Sequence, residues 1–441
     1  MQIKQMLFPM LSMVLSMAPC SHLHAQGQTP VSQMEKLDRG LVALPAQNQG
    51  IFLSWRLLGT DSKHVCFDVE RDGKIIAHQV KLTNYTDRKG SAASSYRIIT
   101  YQKEPRMDAP AEREVSKAVK PWNDLYRSMP INRPAGGVTP DGKSYEYTPN
   151  DCSVGDVDGD GRDEITYGSA AINPDGTLLY STGLGHGDAQ HLADLDPDRP
   201  GLEYYMVHEE YPYGSDLRDA RIGEILFRTL DKDDTGRGVA ADIDAQHRGY
   251  ELWCSDAPVV RDIKGKTVSA ETSLSYKKNH EADHFGSNEK TSFKAVSRMP
   301  AMNFRIYWDG DLQDELLANG RPPHFPPYLQ KWNGKEAVAL PLSNGKQLYE
   351  MGNSVSCNWS KATPNLQADL FGDWREEVIY WDKSDASHLN IFTTNIPTDY
   401  RVPTLMHDHI YRMGVAWQNV GYNQPPHLGY YLPDHAEKIQ K

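Results

Sequence analysis

The chain has 441 residues, 39% of them apolar, with 34 glycines, 28 prolines and 23 tyrosines. That length fits one large domain and a smaller one, and the balance favours many short strands over long helices. Its 59 acidic against 47 basic residues give a net charge of −12; with no basic patch, nucleic acid and anionic membrane surfaces are excluded as expected partners.

Residues 1–25 read as a signal peptide. Lys4 supplies the positive start, and the apolar run Met6–Ala18 is too short to span a bilayer. Cleavage after Ala25 makes the mature chain secreted or periplasmic. An outer-surface lipoprotein on Cys20 is the alternative, disfavoured by Pro19. No later apolar run has the length of a membrane helix. Cys66, Cys152, Cys254 and Cys357 are spaced too irregularly for a zinc site or a disulfide framework, and read as buried free thiols.

After a short polar linker, residues 50–59 and 95–101 read as strands. Residues 65–77 read as a hairpin turning at Asp72-Gly73, a strong hairpin signal. Together they predict a small fibronectin-like β-sandwich over residues 31–125.

From Asp156 a different pattern begins. Asp156-Val157-Asp158-Gly159-Asp160-Gly161-Arg162-Asp163-Glu164 alternates carboxylates around a glycine bend, a hard oxygen cage suited to Ca²⁺. Asp156, Asp158 and Asp160 supply carboxylates, Arg162 its carbonyl, and Glu164 closes the site. An EF-hand needs its glutamate at the twelfth place, here Tyr167, and the run Ile165–Tyr167 predicts a strand rather than a helix. The cage returns in Asp194, Asp196, Asp198 and Glu203, and in degraded form in Asp242, Asp244 and Glu251. More distant copies are Asp309–Glu315 and Asp369–Glu377. Each precedes a short apolar run, and the starts lie 38, 48, 67 and 60 residues apart. A four-stranded blade takes roughly 40–50 residues, so the repeats predict a β-propeller over residues 126–435, an all-β fold with several bound Ca²⁺ ions.

Longer motifs carry a family resemblance. The segments 181–191, 194–203, 361–377 and 417–427, with Met34–Val42 and Phe52–Gly59, resemble rhamnogalacturonan lyases of polysaccharide lyase family eleven. The resemblance implies a β-sandwich followed by a calcium-bearing eight-bladed propeller in a monomer. It also implies Ca²⁺-assisted β-elimination at the rhamnosyl-(1→4)-galacturonate bond of the pectic polysaccharide rhamnogalacturonan-I. The chain departs from the family at one point: Asn150–Asp156 resembles the first aspartate loop of the family's propeller, whereas everything from Tyr167 resembles a much later one. The segment between is missing. At roughly 50 residues per blade, residues 126–435 suffice for about six blades, two fewer than the family has.

β-Elimination removes the proton at C5 of the uronate and expels the oxygen at C4. The site must neutralise the adjacent carboxylate with Ca²⁺ or arginine and place a base at the proton. By resemblance Lys361 and Arg237 form the cationic pair of the cleft, Lys361 as candidate base and Arg237 as carboxylate clamp. His186, between Gly185 and Gly187, lines the site. Asn150, Asn358 and Tyr422 match substrate-contacting positions. Trp359 stands where the family has glycine, and either blocks the backbone's approach to sugar or adds a stacking surface. His407-Asp408-His409 reads as hydrogen-bonded structure rather than a metal site. Two other readings stay open: a non-catalytic, calcium-dependent glycan-binding propeller and, more weakly, a glycoside hydrolase.

Overall fold

Short β-branched and aromatic runs become strands along the whole chain, as the composition requires, and the molecule is all-β. The computed structural model describes residues 38–102, 113–130, 137–138, 142, 144–145, 165–172, 178–185, 187–209, 214–230, 234–255, 259–269, 300–319, 326–357, 363–418 and 424–439. The predicted signal peptide and the loop 156–164 lie outside the described residues. So do Cys152, Trp359 and the candidate site residues Asn150, His186, Asn358, Lys361 and Tyr422.

Near the N-terminus a three-stranded sheet (Val42–Pro45, Ile51–Ser54, Asn84–Asp87) accompanies a four-stranded sheet (Lys74–Val80, Cys66–Arg71, Tyr96–Tyr101, Arg113–Val115). Alternate side chains of both sheets, among them Leu53, Trp55, Phe67, Val69 and Ile98, form one buried cluster. The hairpin turns at Asp72-Gly73, with Arg71 opposite Lys74. Both turn residues have positive φ, 52° and 78°, which matches the turn to the right-handed twist of the flanking strands. This unit lies against the C-terminal part of the chain. Asn84 Nδ2 donates to the Thr398 carbonyl at 2.9 Å, Asn395 Nδ2 to Pro45 at 2.8 Å, and the Trp122 ring meets Phe371 edge-on at 5.5 Å.

Among the described residues, five further sheets of three or more strands follow, beside two two-stranded ones. Sheet A has Ile165–Tyr167, Ala170–Ile172 and Leu178–Ser181. Sheet B has Gln190–Ala193, Glu203–His208, Gly214–Asp219 and Ile225–Arg228. Sheet C has Gly238–Ala241, Glu251–Cys254, Val260–Arg261 and Thr267–Ser269. Sheet D has Phe304–Ile306, Glu315–Asn319, Pro327–Trp332 and Ala337–Ala339. Sheet E has Leu366–Ala368, Glu377–Asp382 and His388–Phe392, with Ser354–Val355 also paired to it. Its outer strand is Tyr126–Pro130, from the other end of this region of the chain, with Tyr126 opposite Phe392. Strands from both ends of the propeller region thus share one sheet.

The sheets stack face to face, as blades do. One cluster packs B on C through Leu195, Tyr205, Ala240 and Leu252; a second packs C on D through Val239, Trp253, Leu316 and Trp332; a third packs D on E through Ile306, Leu329, Val378 and Phe392. In sheets B to E the apolar runs after the acidic loops are second strands buried on both faces, which explains why they are continuous rather than alternating. Cys66 and Cys254 are buried and Cys357 is half-buried.

Candidate functional site

In sheets B to E the acidic segment joins the first strand to the second. Its closing glutamate has a backbone role that recurs in all four. Glu203 Oε2 accepts the amides of Leu195 and Asp196 at 3.1 and 2.9 Å, and Glu251 Oε2 those of Ile243 and Asp244 at 2.9 and 3.1 Å. Glu315 Oε2 accepts Trp308 and Asp309 at 2.8 and 2.9 Å, and Glu377 Oε2 accepts Leu370 and Phe371 at 2.8 and 3.0 Å. One carboxylate oxygen thereby fixes the loop; the other lies near Arg199 in Glu203, bonds Lys331 in Glu315 and accepts from Thr393 in Glu377, and in Glu251 it is buried without a hydrogen bond among the described residues. The residue before each glutamate ties neighbouring loops together: the Tyr250 amide donates to Leu195, that of Asp314 to Asp242 and that of Glu376 to Tyr307. Asp314 Oδ2 and Glu376 Oε2 also accept the amides of Asp242 and Tyr307 at 2.9 Å each. The acidic loops of B to E therefore share one end of the stack.

Their capacity for a cation differs. In the 194–203 loop, Lys264 pairs with Asp196, and Asp198 turns outward to Arg248 at 3.0 Å, so these carboxylates do not converge. In the 242–251 loop both carboxylate oxygens of Asp242 and Oε1 of Glu251 are buried without a hydrogen-bond partner among the described residues. Burial, reinforced by neighbouring carboxylates, pushes Glu251 up to about 10 and holds Asp242 well above the ordinary carboxylate range. Acids so hard to ionise alone suit a positive partner. Asp309, Asp311 and Glu315 are the one set among the described residues whose carboxylates lie within 4.8 Å of one another. The Lys331 ammonium already bonds all three, at 2.6 Å to Asp311 and 2.8 Å to Glu315. Burial opposes its charge, but the three carboxylates prevail and raise its pKa. The Asp-x-Asp start at Asp309 marks this triad in the sequence; Lys331, on the adjoining strand, does not show there.

The opposite end of the stack has another chemistry. First strands begin there, at Gln190, Gly238, Phe304 and Leu366. Arg237 directly precedes the sheet C strand and is half-buried, its carbonyl accepting the Ser255 amide at 2.9 Å. The segment around Gly187 approaches it: a Cβ on Gly236 would lie 3.8 Å from Asp188 Oδ2. Gly187 has no room for a side chain, since a Cβ would stand 1.7 Å from the Val207 carbonyl. The glycines around position 186 thus serve close backbone packing. His191 Nε2 lies 3.0 Å from the Gly238 carbonyl, and its Nδ1 lies 2.8 Å from His427 Nε2. Arg237 and Asp242 stand at the two ends of a four-residue strand, on the order of 15 Å apart at ~3.3 Å per residue. A cation in the acidic loop of sheet C therefore sits at the far end of the strand from the backbone of Arg237.

Elsewhere, a cavity of about 1300 Å³ opens between the N-terminal unit and sheet E, lined by Arg56, Trp122, Leu370 and Phe371 among others. It lies at the acidic-loop end, and no candidate site residue lines it. His407-Asp408-His409 is hydrogen-bonded structure. His407 Nε2 accepts the Gly59 amide at 2.9 Å, and Asp408 Oδ2 caps the helix His409–Trp417 by accepting the Tyr411 amide at 3.0 Å.

Comparison with known proteins gives the chain its place. Residues 126–162 and 152–441 each match the model of the rhamnogalacturonan lyase family 11 C-terminal domain, and residues 32–122 match that of the rhamnogalacturonan I lyase beta-sheet domain. The chain is 29% identical to rhamnogalacturonan endolyase YesW of Bacillus subtilis (strain 168), covering 98% of this chain and 96% of the relative. It is 30% identical to rhamnogalacturonan exolyase YesX of the same organism, covering 93% and 97%. The crystal structure of YesW superimposes with a TM-score of 0.74 at 28% identity over 92% of this chain and 98% of that one. The Bacillus licheniformis lyase PL11 gives 0.72 at 28% identity over 90% and 97%. The YesW alignment runs over 646 positions against 441 residues here, so at least 205 positions have no counterpart in this chain. The two C-terminal matches overlap at residues 152–162, the acidic loop where the sequence places the join. The chain belongs to rhamnogalacturonan lyase family 11 and lacks an internal segment of the propeller.

Proposed function

We propose that the chain is a polysaccharide lyase that cleaves the rhamnosyl-(1→4)-galacturonate bond of rhamnogalacturonan-I by β-elimination. The observation that carries this reading is the end of the stack where the backbone beside Arg237 approaches Asp188, in a chain related throughout its length to named rhamnogalacturonan lyases. Arg237 pairs with the uronate carboxylate and stabilises the negative charge that builds beside C5. Lys361 takes the C5 proton, the C–H electrons form the C4–C5 double bond, and the C4 oxygen departs with the rhamnosyl fragment. His186, Asn150, Asn358 and Tyr422 line the cleft and orient the sugars. The domains are a signal peptide at 1–25, a sandwich at 31–125 and a shortened propeller at 126–435, in a secreted or periplasmic monomer.

Calcium fits as a structural ion in this reading. Asp242, Asp244 and Glu251 would hold one where buried oxygens lack partners. The Asp156–Glu164 and Asp194–Glu203 loops are candidates for others. Its chemistry there is neutralisation of buried carboxylates, while the substrate carboxylate falls to Arg237.

The missing segment favours a second reading, a calcium-dependent pectic glycan-binding propeller without turnover. Arg237→Ala and Lys361→Ala decide between them. Wild-type protein should raise the ultraviolet absorbance of rhamnogalacturonan-I as unsaturated uronate ends form, and each substitution should lower the rate at least a hundredfold. Glycan binding with no absorbance change would leave the binding reading standing.

A further inference from the structure

We infer that His191 is a positioning residue for Arg237, acting through the peptide that follows it; the inference rests on the reading of Arg237 as the carboxylate clamp. His191 sits one residue into the first strand of sheet B, 1% exposed, and His427 reaches it from the C-terminal segment, 3% exposed. The hydrogen-bond roles follow from the partners. A carbonyl only accepts, so the proton of His191 is on Nε2 and is donated to Gly238 at 3.0 Å. The neutral ring then offers Nδ1 as an acceptor, and His427 donates to it from Nε2 at 2.8 Å. His427 Nδ1 is left as a buried lone pair with no partner among the described residues. The order His427, His191, Gly238 therefore runs one way.

Gly238 has little freedom to move. A Cβ there would meet Val207 Cγ1 of sheet B at 2.5 Å and Cβ of its strand neighbour Cys254 at 3.3 Å, so its backbone packs directly against sheet B. On the other side of the same residue pair, the Arg237 carbonyl is held by the Ser255 amide at 2.9 Å. The two carbonyls that flank the Arg237–Gly238 junction are thus fixed by different strands, one through an imidazole. Loss of that imidazole bond leaves the Gly238 carbonyl without its partner and lets the backbone just after Arg237 shift from the position that aims the guanidinium.

Two substitutions separate this role from plain core packing. In His191→Gln the side-chain amide stands near Nε2 and still donates to Gly238. In His191→Asn the side-chain oxygen stands near Nδ1 and still accepts from His427, but nothing reaches Gly238. On rhamnogalacturonan-I, His191→Asn should lower kcat at least tenfold while His191→Gln stays within threefold of wild type. In an Arg237→Ala background neither should lower the rate further. Equal losses in both variants, or an undiminished loss in the Arg237→Ala background, would overturn the inference. If wild type shows no turnover, the lyase reading fails and the same comparison in calorimetric binding of rhamnogalacturonan oligosaccharides judges His191; if it neither cleaves nor binds, both fall. Should His191→Asn not fold, ¹⁵N NMR of the wild-type histidines still decides: Nε2-protonated neutral rings are expected at both positions, and an Nδ1-protonated His191 contradicts the order of donation.

Discussion

Single side chains decide how the acidic loops hold together, and their roles are more varied than metal ligation. The closing glutamates cap loop amides, and Lys331 supplies a cation from within the chain. Lys331→Met should destabilise the protein by about 3 kcal/mol, because three carboxylates, one fully buried, lose their partner; urea unfolding measures this, and an unchanged midpoint would contradict it. Arg305 is fully buried, bonded to Glu376 at 2.7 Å and 3.4 Å from Asp314. Titration acts in two opposed windows. Burial pushes Glu203 and Asp314 up to about 7. Carboxyls raised above their unfolded values stabilise most below about pH 4, and that contribution fades as pH rises through 7. Burial lowers His191 to about 4, with Arg305 adding to the effect. A base so depressed contributes above its unfolded value near 6.5 and loses that contribution as pH falls towards 4. The two carboxyls outweigh the single imidazole over the same interval, so chelated protein should lose melting temperature as pH rises from about 4 to 7. A melting temperature that climbs across that interval would contradict the carboxyl assignments.

Among the elements, strands and turns were the legible part. Asp72-Gly73 gave the hairpin because both positions must accept positive φ, and the runs after each acidic loop gave the second strands because they are apolar without interruption. The capping role of the glutamates was not legible, since a carboxylate that binds two amides has the same spacing as one that binds calcium. Nor was the separation of the two ends: a linear sequence places Arg237 five residues from Asp242, yet the strand between sends them to opposite sides. The His191–His427 pair joins residues 236 apart, and no local pattern announces it. The C-terminal stretch contains the helix His409–Trp417, and its side chains reach the first strands or acidic loops of several sheets. Tyr411 Oη donates to Glu376 at 2.7 Å and accepts the Asp369 amide at 2.8 Å, Gln418 exchanges two bonds with Gln367, and Arg248 clasps Asp434 at 2.7 Å. Tyr411→Phe should cost about 2 kcal/mol, as it strands a buried carboxylate oxygen and an amide. A loss below a few tenths of that in denaturant unfolding would show that the segment is not a fastening.

At the scale of the whole molecule, the chain keeps the family's end-to-end plan with an internal segment removed at a join between two homologous loops. Cutting between like loops preserves strand register on both sides, which is how a repeat protein loses units without scrambling the rest. The remaining sheets still stack, strands from both ends of the region meet in sheet E, and the C-terminal segment spans several sheets. Calcium should act on this body as a stabiliser: it should raise the melting temperature of wild type, and the rise should shrink in Asp242→Asn, where one of the partnerless buried carboxylates is gone. An equal rise in both would place the relevant ion elsewhere. The central claim is that the shortened chain still performs β-elimination, and the mass of the oligosaccharides released from rhamnogalacturonan-I tests it most directly. The account predicts fragments lighter by one water than the hydrolysis products, with the unsaturation at the galacturonate end; fragments of full hydrolytic mass, or a polymer left intact by folded protein, would contradict it.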